Sequence, residues 1–319
     1  MRARAFWATA PGQGEIREET LPTPGAHQVL VRCLASGISR GTERLVFSGH
    51  VPPSQWGTMR APLQAGEFSY PVKYGYAAVG TLADSHRVFV LHPHQDVFLA
   101  PREMCIPVPE GVPTQRAVLA ANMETAVNIL WDARPLPGER VLVLGAGVVG
   151  LLTAWLLGRI PGTVVTVVDT DLSRRAVVDL LGLNFATPDE APVEQELIVH
   201  TSATEAGLRQ ALNCAAFEGR ILEASWHGDR QVALPLGEAF HVKRLQLLST
   251  QVGSIAPAMR GRRNYAERMA LALSLLKDPV LDALCGPVLR FDELPARMAK
   301  ILGPAAPGEV APLCPVVTY

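Results

Sequence analysis

Short apolar runs recur along the chain, and the way they are spaced changes near Thr114. Before that point the runs Gln28–Ala35, Ala77–Leu82, Arg87–Leu91 and Met104–Val108 are separated by segments rich in Pro and Gly. Such spacing predicts short strands with irregular connections, hence a β-rich first domain. After it, apolar runs alternate with amphipathic ones. The pattern predicts helices over Thr114–Ala133, Val148–Arg159, Leu172–Leu181 and Glu205–Cys214. It predicts strands over Glu139–Gly145, Thr163–Asp169, Glu196–Ser202, Gly219–Ser225 and Arg244–Val252. Apolar strands alternating with helices imply an α/β fold, with a doubly wound parallel sheet covered on both faces. Two further helices are predicted, Asn264–Leu276 and the shorter Phe291–Leu302. That tail is too small for a core of its own and is expected to return to the first domain. The expected division is 1–118, 119–260 and 261–319.

Composition narrows the class. A length of 319 residues suits two domains, and 48% hydrophobic against 18% charged residues suits a well-buried globular chain. A formal net charge of -1 offers no electrostatic footprint for nucleic acid. The basic run Met259–Arg268 reads as a solvated helix start. Five cysteines, widely spaced and without a CxxC, argue against a disulfide framework or zinc knuckle and for a reducing, cytoplasmic setting. The start of the chain lacks the apolar stretch of a signal peptide. Val141–Gly158 runs without a charge, yet it divides at GAG into a β-rich half and a helical half, so no membrane span is expected.

That same segment carries the first candidate chemistry. VLVLGAGVVG places Gly145, Gly147 and Gly150 in a G-x-G-x-x-G pattern after an apolar strand and at the start of a helix. Gly145 permits the tight turn, Gly147 lets backbone approach a pyrophosphate, and Gly150 allows close helix–strand contact. The amides of Val148 and Val149 belong to the helix start that would receive the phosphates. Asp169 ends the next strand, where an acid accepts both ribose hydroxyls of NAD and repels a 2′-phosphate. Ser173, Arg174 and Arg175 keep NADP open. Ligands of such sheets bind at the carboxyl ends of the strands. Thr201 and Ser202, Trp226 and His227, and Val252 follow as further cofactor candidates.

The β-rich start, the glycine turn and the short returning tail together resemble the medium-chain dehydrogenase/reductase superfamily, the alcohol dehydrogenase-like proteins. The resemblance covers nearly the whole chain and implies a GroES-like catalytic domain joined to a Rossmann cofactor domain. SGISRGTE (Ser36–Glu43), PVKYGYAAVG (Pro71–Gly80), LHPHQD (Leu91–Asp96), ANMETAVNILWDA (Ala121–Ala133) and LPLGEAFHVKRL (Leu234–Leu245) are similar, more narrowly, to the bacteriochlorophyllide a dehydrogenase-like subgroup. Zinc-bearing members of the superfamily take ligands from three segments. Here those positions hold Ser39 or Arg40, Tyr76, and a residue near Ala121. The four-cysteine lobe is missing as well, with Cys105 alone between residues 34 and 213. No zinc is therefore expected. His92 and His94, with Asp96 beyond, form a rival metal pattern, but the intervening proline favours hydrogen-bonded structural histidines.

Without zinc, hydrogen-bond donors must polarise the acceptor of a hydride. Tyr70, Tyr74 and Tyr76 cluster beside Lys73, and Tyr76 stands where a relative carries its histidine. Tyr76 is the candidate proton donor, with Lys73 as a partner that would lower its pKa or donate directly. Tyr70 and Tyr74 read as lining. Thr42 resembles the relay hydroxyl of alcohol dehydrogenases, or else caps a helix beginning near Glu43, and Ser39 joins the catalytic candidates. Glu124 is either a buried acid near the nicotinamide or a satisfied helix-start residue. The expected protein is a zinc-independent NAD(H) oxidoreductase of a small-molecule alcohol or carbonyl. The alternatives are a reductase of a conjugated C=C bond, or an isomerase or binding protein that retains the cofactor. The strand Leu245–Val252 resembles one that pairs across a two-fold axis in the superfamily, so a homodimer is expected.

Overall fold

An antiparallel hairpin, β1 (Arg2–Ala10) with β2 (Gln13–Thr20), opens the chain in the computed structural model, which describes residues 1–305 and 309–319. Hydropathy gave no sign of it, because the buried positions of β1 include Ala3, Ala5 and Ala8, small residues alternating with arginines. The chain divides into two units, Met1–Ala121 with Met269–Tyr319, and Asn122–Arg268.

In the first unit, β3 (Gln28–Gly37) leads into α1 (Arg40–Phe47). The strands β4 (Ala65–Gly66), β5 (Val72–Lys73), β6 (Ala78–Thr81), β7 (Arg87–Val90), β8 (Val97–Pro101) and β9 (Ile106–Pro107) follow. Two antiparallel systems result: β2-β1-β5-β4, and a larger sheet in which one half of β3 pairs with β8 and the other with β6. Val31, Ala78, Val88, Val90 and Phe98 form the core of the larger sheet. The helix predicted over Thr114–Ala133 is interrupted. It forms α2 (Thr114–Ala117) and α3 (Ala120–Ala133), with a tight turn at Leu119, whose N–H donates to the Arg116 carbonyl at 3.0 Å. Local periodicity yields there to tertiary bonding, since the Arg116 guanidinium is drawn to Asp282 and to the carbonyls of Leu276 and Lys277.

The second unit alternates as predicted: β10 (Arg140–Leu144), α4 (Val148–Leu157), β11 (Val164–Val168), α5 (Arg175–Leu180), β12 (Asn184–Ala186), β13 (Gln195–His200), α6 (Glu205–Cys214), β14 (Ala215–Glu223) and β15 (Gln246–Ser249). The short strand β12 is the exception, which the sequence pattern did not predict. All pairings are parallel, in the order β12-β11-β10-β13-β14-β15, the doubly wound order whose reversal point lies between β10 and β13. The inner strands are apolar because both faces are covered: Leu142, Leu144, Ile198 and Ile221 share one core with α6, and Val141, Val143, Leu197 and Val199 are buried on the other face. The uncharged segment 141–158 is a buried strand, a turn and a helix. Among the described residues no helix is long and apolar enough to cross a membrane.

After α7 (Tyr265–Leu275) come β16 (Cys285–Arg290), α8 (Leu294–Leu302) and β17 (Cys314–Thr318). β17 lies antiparallel to β3 and parallel to β16, so the tail extends the larger sheet of the first unit. Arg40 fastens it by donating to the carbonyls of Ile301, Gly303 and Pro312 at 2.7, 3.0 and 3.3 Å.

Candidate active site

In the second unit, the turn between β10 and α4 sits at the carboxyl ends of the strands. Gly145 has φ +112, a conformation side chains rarely adopt, and its N–H donates to the Val168 carbonyl at 2.8 Å. A Cβ on Gly150 would collide with the Gly145 carbonyl oxygen and stand 2.6 Å from Thr201 Oγ1. A Cβ on Gly147 would meet nothing within 4 Å. The turn is thus closed on the protein side by Gly145 and Gly150 and open at Gly147. Asp169 accepts from the Ala146 N–H at 2.6 Å and from the Asp171 N–H at 2.8 Å, tying the turn to the end of β11. Thr201 donates to the carbonyls of Leu144 and Gly145 at 3.1 and 3.0 Å. An open backbone at the amino end of a ten-residue helix, with an acid at the neighbouring strand end, fits the pyrophosphate and ribose of a dinucleotide. Arg174 pairs with Asp171 at 3.4 Å and Arg175 lies 4.7 Å over the Phe185 ring, so both already have partners.

Farther along the same edge, Ser202 Oγ meets His200 Nε2 at 2.7 Å, and His200 Nδ1 meets Glu223 at 2.6 Å. Burial pushes the Glu223 acid up, but the His200 hydrogen bond and charge, with the Ser225 amide, hold it below its usual range. His227 lies in the loop after β14 with Trp226, its Nε2 3.6 Å from Glu223, buried and without a hydrogen-bond partner among the described residues. The sequence reading singled out Ser202, Trp226 and His227 and missed His200 and Glu223, which lie on apolar strands. Val252 gives its carbonyl to Arg268 at 2.6 Å; Arg268 is 1% exposed and also donates to Glu124 at 3.1 Å. Glu124 is thus an ion-paired helix residue, its acid pushed up by burial against the pull of Arg268.

In the first unit, Ser39 is the N-cap residue of α1, and Thr42 lies in its first turn rather than capping a later start. The Ser39 and Thr42 side chains both hydrogen-bond the Tyr76 phenol. The phenol is pushed up to about 12, chiefly by burial and then by the charge of Glu43, against the two hydroxyls. The expected Lys73 partnership is corrected. The Lys73 ammonium binds Glu19 at 2.8 and 3.0 Å and Gln95 at 2.8 Å, on the β2-β1-β5-β4 sheet, and the Tyr76 phenol moves up rather than down. Gly75, at φ +130, turns the backbone between them, and a Cβ there would stand 3.2 Å from His94 Nε2. Tyr70 donates to the carbonyls of Val46 and Phe47 at 3.1 and 2.9 Å, closing the last turn of α1. Tyr74 is buried, with its ring edge-on to Tyr76.

The histidines of LHPHQD part company. His92 stacks on Phe98 with ring centroids 3.6 Å apart, while Asp96 pairs with Arg4 at 3.3 Å. His94 turns to Ser36 and Glu43. Burial pushes His92 down to about 3. The unfolded chain binds that proton near the ordinary value of 6.5, so the ring's stabilising contribution is complete above pH 6.5 and shrinks as pH falls toward 3. Between pH 6 and 4, wild type should lose about 1 kcal/mol per pH unit relative to His92→Phe. Equal pH slopes in urea titrations of the two proteins would refute this.

No family model matches the chain. The starvation-sensing protein RspB of Escherichia coli K12 is 23% identical over 249 residues, covering 66% of this chain and 73% of RspB. Probable D-xylulose reductase A of Aspergillus niger is 35% identical over 95 residues, 28% of this chain and 23% of that protein. This chain thus spans about a quarter of that relative's length. The crystal structure of the alcohol dehydrogenase rspB from Escherichia coli CFT073 with NADH superposes at a TM-score of 0.77 and 18% identity, over 100% of this chain and 99% of that one. The two units thus have the fold of that alcohol dehydrogenase.

Proposed function

We propose that this chain, which has the medium-chain alcohol dehydrogenase-like fold, is a zinc-independent NAD(H) oxidoreductase acting on an alcohol or carbonyl of a small or medium-sized organic molecule. The observation that carries this reading is the Tyr76 phenol, which stands where a metal-dependent relative carries its histidine and is hydrogen-bonded by the Ser39 and Thr42 side chains. Two neutral hydroxyls bonded to one another, with Ala121 contributing no donor atom, do not fit the N, S and carboxylate set that zinc requires. A phenol pushed up to about 12 keeps its proton at neutral pH and is a donor. As charge builds on a carbonyl oxygen, the Tyr76 O–H bond breaks and the new O–H bond forms on substrate. The tyrosinate left behind accepts from Ser39 and Thr42. A bound nicotinamide would supply the hydride, or receive it in the reverse direction. Gly147 and the start of α4 would hold its pyrophosphate, and Asp169 its adenosine ribose. The finer kinship with bacteriochlorophyllide a dehydrogenase-like proteins is supported by the segments 36–43, 71–80 and 91–96, all of which contribute to the surroundings of Tyr76.

The test is turnover of NADH with a panel of ketones and aldehydes, using protein dialysed against chelator and checked by elemental analysis. One zinc per chain, with activity lost on its removal, would overturn the zinc-independent reading. NADH should bind more tightly than NADPH, and Asp169→Ala should cut that preference roughly 10- to 100-fold. A tighter NADPH complex in fluorescence titration would reverse the assignment. The edge strand β15 exposes Leu247 and Leu248 by 36% and 40%. Two copies paired there would give twice the 34.3 kDa of one chain in light scattering, and Leu248→Lys should return the monomer. A wild-type monomer would remove this interface.

A further inference from the structure

Three segments far apart in the chain meet around Glu43 and Ser36. Glu43, on α1, is buried, with one carboxylate oxygen accepting from the Ser39 N–H at 2.8 Å and the other facing His94 Nε2 at 3.0 Å. His94 Nδ1 faces Ser36 Oγ at 2.7 Å, and Ser36 Oγ faces the Tyr319 hydroxyl at 2.8 Å. Glu43, His94 and Ser36 are 3%, 0% and 0% exposed. A carboxylate only accepts, so His94 presents Nε2–H to Glu43 and a lone pair at Nδ1. Ser36 then donates to His94 and accepts from Tyr319. Every link then points its donor toward Glu43.

We propose that Glu43, at the end of this line of donors, is the positioning residue that holds Tyr76 protonated, and that His94 acts through Glu43. The proposal rests on the reading of Tyr76 as the proton donor. Tyr76 is faced by Glu43, Ser39 and Thr42 from α1, by Tyr74 from its own segment, and by Cys314 from β17; none of these is a cation. Glu43 in turn faces Tyr74, Tyr76, His94 and Cys314. Burial first, and then the Glu43 charge, raise the phenol's titration, so the phenol stays a donor even when the solution turns alkaline.

The deciding measurement needs no substrate. Ring-13C-labelled tyrosine is followed by NMR against pH, with Tyr76→Phe assigning the resonance. In wild type the Tyr76 signal should keep its phenol position to pH 10.5. In Glu43→Gln it should titrate about 1 to 2 pH units lower than in wild type. Glu43→Asp, which keeps the charge, should restore most of the difference. Where turnover is found, the alkaline limb of the kcat/KM profile should move with the NMR midpoint. An unchanged Tyr76 titration in folded Glu43→Gln overturns the proposal. Should that variant not fold, 15N NMR of His94 in wild type at pH 8 decides: a proton on Nε2 and a lone pair at Nδ1 support the line of donors, and the opposite tautomer overturns it. A protein that shows the Tyr76 shift but turns over no carbonyl would lose the functional reading and keep the coupling.

Discussion

Tyr76→Phe is expected to lower kcat by roughly 100- to 10,000-fold while leaving nucleotide affinity unchanged. The substitution removes one oxygen and keeps the ring that meets Tyr74 edge-on at 6.0 Å, so the wall of the site stands. What is lost is the proton donor and the group that Ser39 and Thr42 address. The two hydroxyls lose a partner, at a cost of about 1 to 3 kcal/mol in stability, so melting is measured beside turnover. The kinetic split carries the diagnosis. A fall in kcat with an unchanged NADH dissociation constant assigns the phenol to chemistry, and equal turnover in the two proteins removes it from the mechanism.

The second large effect is expected at Gly150. An alanine there drives its methyl into the Gly145 carbonyl oxygen and to 2.6 Å from Thr201 Oγ1, so the turn has to move. Overpacking of this kind costs about 1 to 3 kcal/mol, and a displaced turn should weaken NADH binding by roughly 100-fold or more. Gly147→Ala is the control. Its methyl meets nothing in the protein within 4 Å, so the melting temperature should hold while affinity falls, because the methyl occupies the approach of the phosphates. Loss of stability in Gly147→Ala, or intact NADH binding in Gly150→Ala, would contradict this placement of the cofactor.

The two halves of the chemistry differ in how far a single sequence discloses them. The parallel sheet is legible because its strands are buried on both faces and read as unbroken apolar runs, and the glycine turn is legible because it lies between strand and helix. Those signals are local. The surroundings of Tyr76 are not local: Glu43 meets His94 across 51 positions, and Ser36 meets Tyr319 across 283. Neither pairing leaves a trace in spacing. Lys73 shows the converse, since nearness in sequence suggested a partner that strand direction and the turn at Gly75 send elsewhere. His92 and His94 read as one pair because i and i+2 share a face of a strand, but no strand forms there and the rings separate. The hairpin of β1 and β2 escaped notice for a different reason: alanines carry its buried face, and alanine is a weak strand signal.

β17 beside β3 has a consequence for how the protein is made. A ribosome releases β3 early and β17 only after the intervening segment, which contains all of residues 122–268. At cellular elongation rates that interval is on the order of tens of seconds, long enough for the parallel sheet to fold on its own. Through that time β3 presents an unpaired edge, the carbonyl-gripping Arg40 has no tail to hold, and Ser36 lacks the Tyr319 hydroxyl. The nascent first unit is therefore the part that needs shielding from other chains. Its polar line is completed last, when the final strand docks and brings the Tyr319 hydroxyl to Ser36.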